Sequence, residues 1–147
     1  MKPSKKCIDL ICYFEGFFSK SYRCPANVWT IGWGTIRYKN GKKVQPGETI
    51  TKAEAEIELM DEVEKIAKKI TANVNQSQFD ALVSFTYNCG FGNLSSSTLY
   101  RKVRQNPNDP TIRNEFMKWN KARVNGVLTP LKGLTRRRIA EADLYFS

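Results

Sequence analysis

Thr51-Lys-Ala-Glu54 is a capping box, a hydroxyl and a carboxylate three residues apart, each able to bond the other's backbone N–H. Behind it Ala53, Ile57, Met60, Val63 or Glu64, Ala67 and Ile70 recur at helical spacing, which predicts one long amphipathic helix over 51–70. A helix of about twenty residues spans roughly 30 Å, close to the width of a small domain. In a chain of 147 residues it divides the rest into two flanks that must both pack against it.

The flanks differ in character. On the N-terminal side Cys7 to Phe18 fits a short buried helix. Val28-Trp-Thr-Ile-Gly-Trp-Gly-Thr-Ile36 then has strand composition, and Asn40-Gly41 marks a tight turn, so a small antiparallel sheet is expected. On the C-terminal side Asn75-Gln-Ser-Gln78 repeats the capping logic before Phe79, Leu82, Val83 and Thr86, and Asn88-Cys-Gly90-Phe-Gly92-Asn93 stops that helix. Shorter helices are expected from about Ser97 to Arg104, from Thr111 to Ala122 with Ile112, Phe116 and Trp119 on one face, and from Thr135 to Tyr145 burying Ile139 and Ala142. The predicted fold is α+β in a single domain: a small sheet-bearing lobe (about 15–50), a connecting helix (51–70) and a helical lobe (71–147).

Composition narrows the chemistry. Three Trp, six Tyr and eight Phe are too many large apolar groups for a chain that stays open. With no histidine at all, the Ser-His-Asp triad, His-ligated zinc and imidazole acid/base catalysis are excluded. Cysteines 7, 12, 24 and 89 have no Cys-x-x-Cys spacing, so no metal site is expected; reduced thiols are the default, and four cysteines in a protein that leaves the cytoplasm would also permit disulfides. The longest apolar stretch, Ile8 to Phe18, is interrupted by Asp9 and Glu15 and falls short of the ~18 residues of a membrane helix. Met1 to Lys6 is basic but leads into no cleavage site, and it is expected to be the approach to the first helix.

Glu15 follows Ile8, Ile11 and Cys12 by seven, four and three positions, so it shares their apolar face. A carboxylate there is either a salt-bridged core residue or a general acid whose pKa is raised by desolvation. Gly16 beside it leaves room for a ligand to approach the backbone. Cys24 and Thr30 follow near the start of the sheet region. An acid, a soft polar group and a hydroxyl converging on one cleft suit a hydrolysis in which the acid protonates a leaving oxygen and the others hold a water. The two glycines of Thr30-Ile-Gly-Trp-Gly34 serve either close strand packing or an extended substrate, on which Trp29 or Trp33 could stack. Twenty-four basic against fourteen acidic residues give a net charge of +10, concentrated at Lys118, Lys121, Arg123, Lys132 and Arg136-Arg137-Arg138. On charge alone nucleic acid is the first partner to consider, followed by anionic lipid or an anionic wall polymer. The arginine triplet lies in the first turns of a helix, where at least one member must face inward or cap a neighbouring helix.

The spacing of Glu15, Cys24 and Thr30, with Phe14-Glu15-Gly16, Ser21-Tyr22-Arg-Cys24-Pro-Ala-Asn-Val-Trp-Thr30-Ile-Gly-Trp-Gly34, Gly47 to Thr51, Gln78 to Phe85, Asn88-Cys-Gly90, Ser96 to Leu99, Trp119 and Gly133-Leu-Thr-Arg-Arg-Arg138-Ile-Ala-Glu141, resembles the phage-type lysozymes over nearly the whole chain. The resemblance implies an endolysin muramidase that cuts the β-1,4 bond between N-acetylmuramic acid and N-acetylglucosamine in peptidoglycan with inversion. It makes Glu15 the general acid and Thr30 and Cys24 the groups that place water. Tyr22, Trp29, Gly34 and Thr35 become candidate substrate-binding residues. No cofactor and no metal is implied, nor any nucleic-acid partner or stable membrane insertion. A monomer is expected in the host cytoplasm, released to the wall by a holin, since the signal-anchor of many relatives is lacking. Three positions depart from the common pattern. Cys24 stands where many members carry aspartate, although a branch with the same Cys-Pro-Ala context has cysteine. Thr35 replaces a common histidine, and Asn27 a usual glycine. A lytic transglycosylase using Glu15 alone, a nucleic-acid-binding protein and a non-catalytic wall-binding relative are the competing readings.

Overall fold

The computed structural model describes residues 1–147. Helix α1 (Lys5–Glu15) leads into an antiparallel pair, β1 (Phe18–Arg23) and β2 (Trp29–Gly32), and then α2 (Lys52–Lys69) crosses to the helical part of the molecule. There α3 (Gln76–Cys89), α4 (Phe91–Ser96), α5 (Thr98–Gln105) and α6 (Ile112–Met117) precede a second hairpin, β3 (Lys121–Val124) and β4 (Val127–Pro130), and the closing helix α7 (Lys132–Tyr145). This is the expected α+β arrangement of a small N-terminal sheet lobe, a long helix and a mainly helical C-terminal lobe.

Both capping boxes form. Thr51 Oγ1 accepts from the Glu54 N–H and Glu54 Oε1 from the Thr51 N–H, each at 3.1 Å. Asn75 and Gln78 reciprocate in the same way at 2.9 and 3.0 Å. Each N-cap contributes about 1 kcal/mol and sets where its helix starts. Helix α3 is the hub. It is buried from Gln78 through Thr86, polar residues included, so every one of those polar groups needs a partner. Asp80 supplies one such link, accepting from the Ser4 N–H at 2.9 Å and from the Ser4 hydroxyl, and so ties the N-cap of α1 to the centre of the core. The basic start is indeed the approach to α1. No helix is long and apolar enough to cross a membrane.

Four local expectations are corrected. The inward face of α2 is Ala55, Leu59, Val63 and Ile66, continued by Ile70, whereas Ile57 is 59% exposed. Two apolar tracks at helical spacing run along this helix, and the one without a carboxylate is buried. Ala55 packs against Gly32, where a Cβ would come within 3.0 Å of the alanine methyl. Next, the expected helix from Thr111 to Ala122 ends at Met117, and the chain forms β3 and β4 instead. Val124-Asn-Gly-Val127 carried the signal, since a two-residue hairpin turn needs positive φ at both central residues, observed at Asn125 (50°) and Gly126 (80°). Third, the strand expected from Val28 to Ile36 stops at Gly32, and Ile31 and Thr35 then exchange backbone hydrogen bonds at 2.9 Å around a tight turn at Trp33-Gly34. Last, Ile139 is exposed while Ala142 is buried beside Arg137, Arg138 and Glu141. An apolar periodicity count cannot see a helix whose inner face is made of charges that neutralise one another.

Candidate active site

Glu15 is the last residue of α1, and Gly16 follows with φ of 69°, a conformation that ends the helix and turns the chain into β1. Its side chain keeps 19% of its surface exposed, whereas that of Arg137 beneath it keeps 4%. Arg137 Nη1 donates to Glu15 Oε2 at 2.5 Å. The same guanidinium donates through Nε to Glu141 Oε2 at 3.3 Å and through Nη2 to the Ser84 carbonyl at 3.2 Å. Glu141 is fully buried, receives the Ser84 hydroxyl at 2.6 Å, and has Arg138 Nε 2.8 Å from Oε1. Arg138 in turn reaches Asn88 Oδ1 at 2.8 Å, Cys89 Sγ at 2.7 Å and the Trp119 carbonyl at 3.3 Å. Burying three charges is tolerable only in a network that leaves none of them alone. Arg137 is therefore the floor under Glu15, and Arg138 ties Glu141 to the end of α3. Arg136 alone of the three is exposed.

On the opposite side of the carboxylate lies Gly34. Its φ is 85°, and a Cβ at this position would stand 2.6 Å from Glu15 Oε1. Only glycine meets both demands, so the carboxylate is held by a guanidinium on one oxygen and has bare backbone close to the other. A cleft of about 650 Å³ opens from Glu15 and Arg137 along Tyr13, Phe14, Leu131, Leu134 and Arg136.

Cys24 and Thr30 sit on the sheet lobe. The turn between β1 and β2 is closed by Cys24 N–H to the Val28 carbonyl at 3.0 Å and Asn27 N–H to the Cys24 carbonyl at 2.8 Å. Asn27 adopts φ of 62°, which explains how asparagine serves at a position suited to glycine. Burial pushes the Cys24 thiol up, but hydrogen bonds from the backbone at Val28 and Ala26 and from the Thr30 hydroxyl outweigh it and leave its pKa below the ordinary thiol value. Thr30 is 4% exposed, and its hydroxyl donates to the Val28 carbonyl at 3.0 Å. A thiolate at Cys24 competes for that single proton.

Tyr22 pairs with Thr30 across the two strands and packs against Phe18, the ring centroids 4.4 Å apart and the planes tilted by 43°. Its hydroxyl is held above its usual pKa by burial and by the charges of Glu15 and Cys24, so it lies within reach of both fields. Trp29 is half-buried beneath the Arg23 guanidinium, 5.5 Å from the ring centroid. Thr35 is buried and opens, with Gly34, Glu58, Glu62 and Tyr87, onto a separate recess of about 280 Å³ on the α2 side. Of the expected site residues, Glu15 lines the large cleft, while Tyr22, Cys24, Trp29 and Thr30 stand on the hairpin and Thr35 lies behind it. Sequence reasoning missed Asn88 and the Leu131 to Leu134 wall. It foresaw an inward-facing arginine without identifying Glu15 and Glu141 as its partners.

The comparisons with known proteins fall on this same arrangement. The family model described as phage lysozyme matches residues 12–141. An endolysin of Acyrthosiphon pisum secondary endosymbiont phage 1 is 37% identical over 100% of this chain and 99% of its own length. One of Bacillus phage B103 is 39% identical, and there the chain spans 55% of the relative. Among solved structures, the endolysin from Escherichia coli O157:H7 phage FAHEc1 superposes with a TM-score of 0.89 at 38% identity, covering 99% of this chain and 93% of the other. The muramidase domain of SpmX from Asticaccaulis excentricus does so with 0.86 at 28% identity, covering 99% and 98%. With sequence and fold in agreement from end to end, the chain belongs to the phage lysozyme family.

Proposed function

We propose that the protein is an endolysin muramidase that hydrolyses the β-1,4 bond between N-acetylmuramic acid and N-acetylglucosamine, with inversion at the anomeric carbon. The observation that carries this reading is the placement of Glu15: a carboxylate rooted in a buried ionic network, one edge open to a cleft walled by the ends of α1 and α3 and the start of α7. Protonated, Glu15 gives its proton to the glycosidic oxygen as the bond from that oxygen to the muramic acid C1 breaks, and the bonding pair stays on the oxygen. Water held by Thr30 and Cys24 adds to the oxocarbenium-like C1 from the other face, and its proton leaves to the Cys24 thiolate or to solvent. The hydrogen bonds that lower the Cys24 pKa support that second role. The net charge of +10 adds attraction to an anionic wall. Action as a monomer, after holin-dependent release from the host cytoplasm, belongs to the same proposal.

The test is digestion of purified peptidoglycan with the protein and with Glu15→Gln, followed by mass spectrometry of the fragment ends. Reducing muramic acid ends from the wild type alone are expected. Anhydro ends would assign a transglycosylase, and no release by either protein would leave a binding fold.

A further inference from the structure

The Tyr87 hydroxyl, near the end of α3 in the helical lobe, donates to the Trp33 carbonyl at 2.6 Å. Trp33 begins the peptide unit that ends at Gly34, the residue on which a Cβ would stand 2.6 Å from Glu15 Oε1. The turn that carries them is otherwise closed only at its base, by the mutual hydrogen bonds of Ile31 and Thr35. Its tip is held by the Tyr87 bond, by Phe17 against the Trp33 ring at 5.0 Å and by the packing of Trp33 on the main core; of these only the Tyr87 bond grips the backbone.

We infer that Tyr87 is a positioning residue for the acid. Its hydroxyl holds the Trp33–Gly34 peptide at a depth that leaves bare backbone beside Glu15 Oε1, and so couples the wall next to the acid to the helical lobe through one cross-lobe hydrogen bond. Three observations support this assignment. The bond joins residues 54 apart in sequence and belongs to neither sheet nor helix, so secondary structure does not require it. Burial, with the charges of Glu15 and Glu62 nearby, keeps the phenol protonated throughout the working range, so it remains a donor. The recess lined by Thr35, Glu58, Glu62 and Tyr87 lies behind the turn, and this space would let the tip retreat if the bond were lost.

The inference rests on Glu15 being the acid, and the Glu15→Gln digestion tests that separately. Its own test is Tyr87→Phe, which keeps the ring and deletes the bond, beside Tyr100→Phe as a control. Tyr100 is a comparable case away from the cleft, its hydroxyl accepting from the Thr71 and Ala72 N–H groups at 3.1 and 3.2 Å. Both variants are checked for folding by circular dichroism at the assay temperature and assayed on soluble glycan fragments. Tyr87→Phe is expected to lower kcat between about threefold and thirtyfold with KM within about twofold, the range of one lost buried hydrogen bond acting on the barrier. Tyr100→Phe is expected to lower Tm and leave kcat unchanged. The inference is overturned if folded Tyr87→Phe keeps the wild-type kcat, which would make the bond purely structural. It is equally overturned if KM alone rises, which would mean that the bond shapes the cleft rather than the acid.

Discussion

Arg137 Nη1 lies 2.5 Å from Glu15 Oε2, a contact between residues 122 apart that joins the end of the first helix to the first turns of the last. Because Arg137 also serves Glu141 and the Ser84 carbonyl, orienting the carboxylate and sealing the core are one act. Arg137→Met should leave buried Glu141 with one guanidinium instead of two. Breaking such a pair costs about 3–5 kcal/mol. A urea melt of this variant should show that loss, and its activity should fall at temperatures where it remains folded.

Glu15→Gln is isosteric and keeps an acceptor for Arg137, but it has no proton to give. Its activity should drop by about 10²–10⁴-fold, the range of a general acid. Stability should change far less, and a thermal melt beside the assay separates the two effects.

Gly34→Ala places a methyl 2.6 Å from Glu15 Oε1 on a backbone with φ of 85°. Gly41→Ala suffers the same left-handed strain, with φ of 89°, but meets nothing within 4 Å. Each pays about 1–2 kcal/mol for the backbone. Only Gly34→Ala should also abolish glycan cleavage, so comparing both variants by melting and by assay isolates the contact with the acid.

Cys24 and Cys7 should differ sharply as nucleophiles. Burial pushes the Cys7 thiol far above its ordinary range, while the hydrogen bonds around Cys24 bring it below. The thiolate is the reactive form, so alkylation of Cys24 should accelerate as pH rises through a pKa lower than that of a free thiol, and Cys7 should stay unreacted in the folded state. Peptide mapping after iodoacetamide treatment at a series of pH values reads this directly. Activity that survives complete alkylation of Cys24 would remove it from the water-placing role.

Attraction between a chain of net charge +10 and an anionic wall acts over about 8–10 Å in ordinary buffers. Lysis of intact wall preparations should therefore weaken as salt is raised, while cleavage of short neutral glycan fragments should not. Turbidity clearing and fragment release measured over the same salt series check the contrast.

Some of this molecule is local and was legible in the sequence. The capping boxes at Thr51 and Asn75, the α+β order of the elements and the turn at Asn40-Gly41 depend on residues a few positions apart. Their physics is complete within one helical turn or one hairpin. Glu15 stood out for a local reason too, as a carboxylate on an apolar face.

Tertiary structure decided what local pattern could not. It selected which of two apolar tracks on α2 faces inward, because Gly32 accepts the Ala55 methyl there and nothing comparable meets Ile57. It turned three consecutive arginines into two buried partners and one exposed cation: Glu141 stands one turn along the same helix, but only folding brings Glu15 and Asn88 to them. It also joined Tyr87 to Trp33 across the lobes. A charge or a hydroxyl carries no mark in sequence of what will neutralise it. The cost of burying it alone is what makes the folded chain supply a partner from far away.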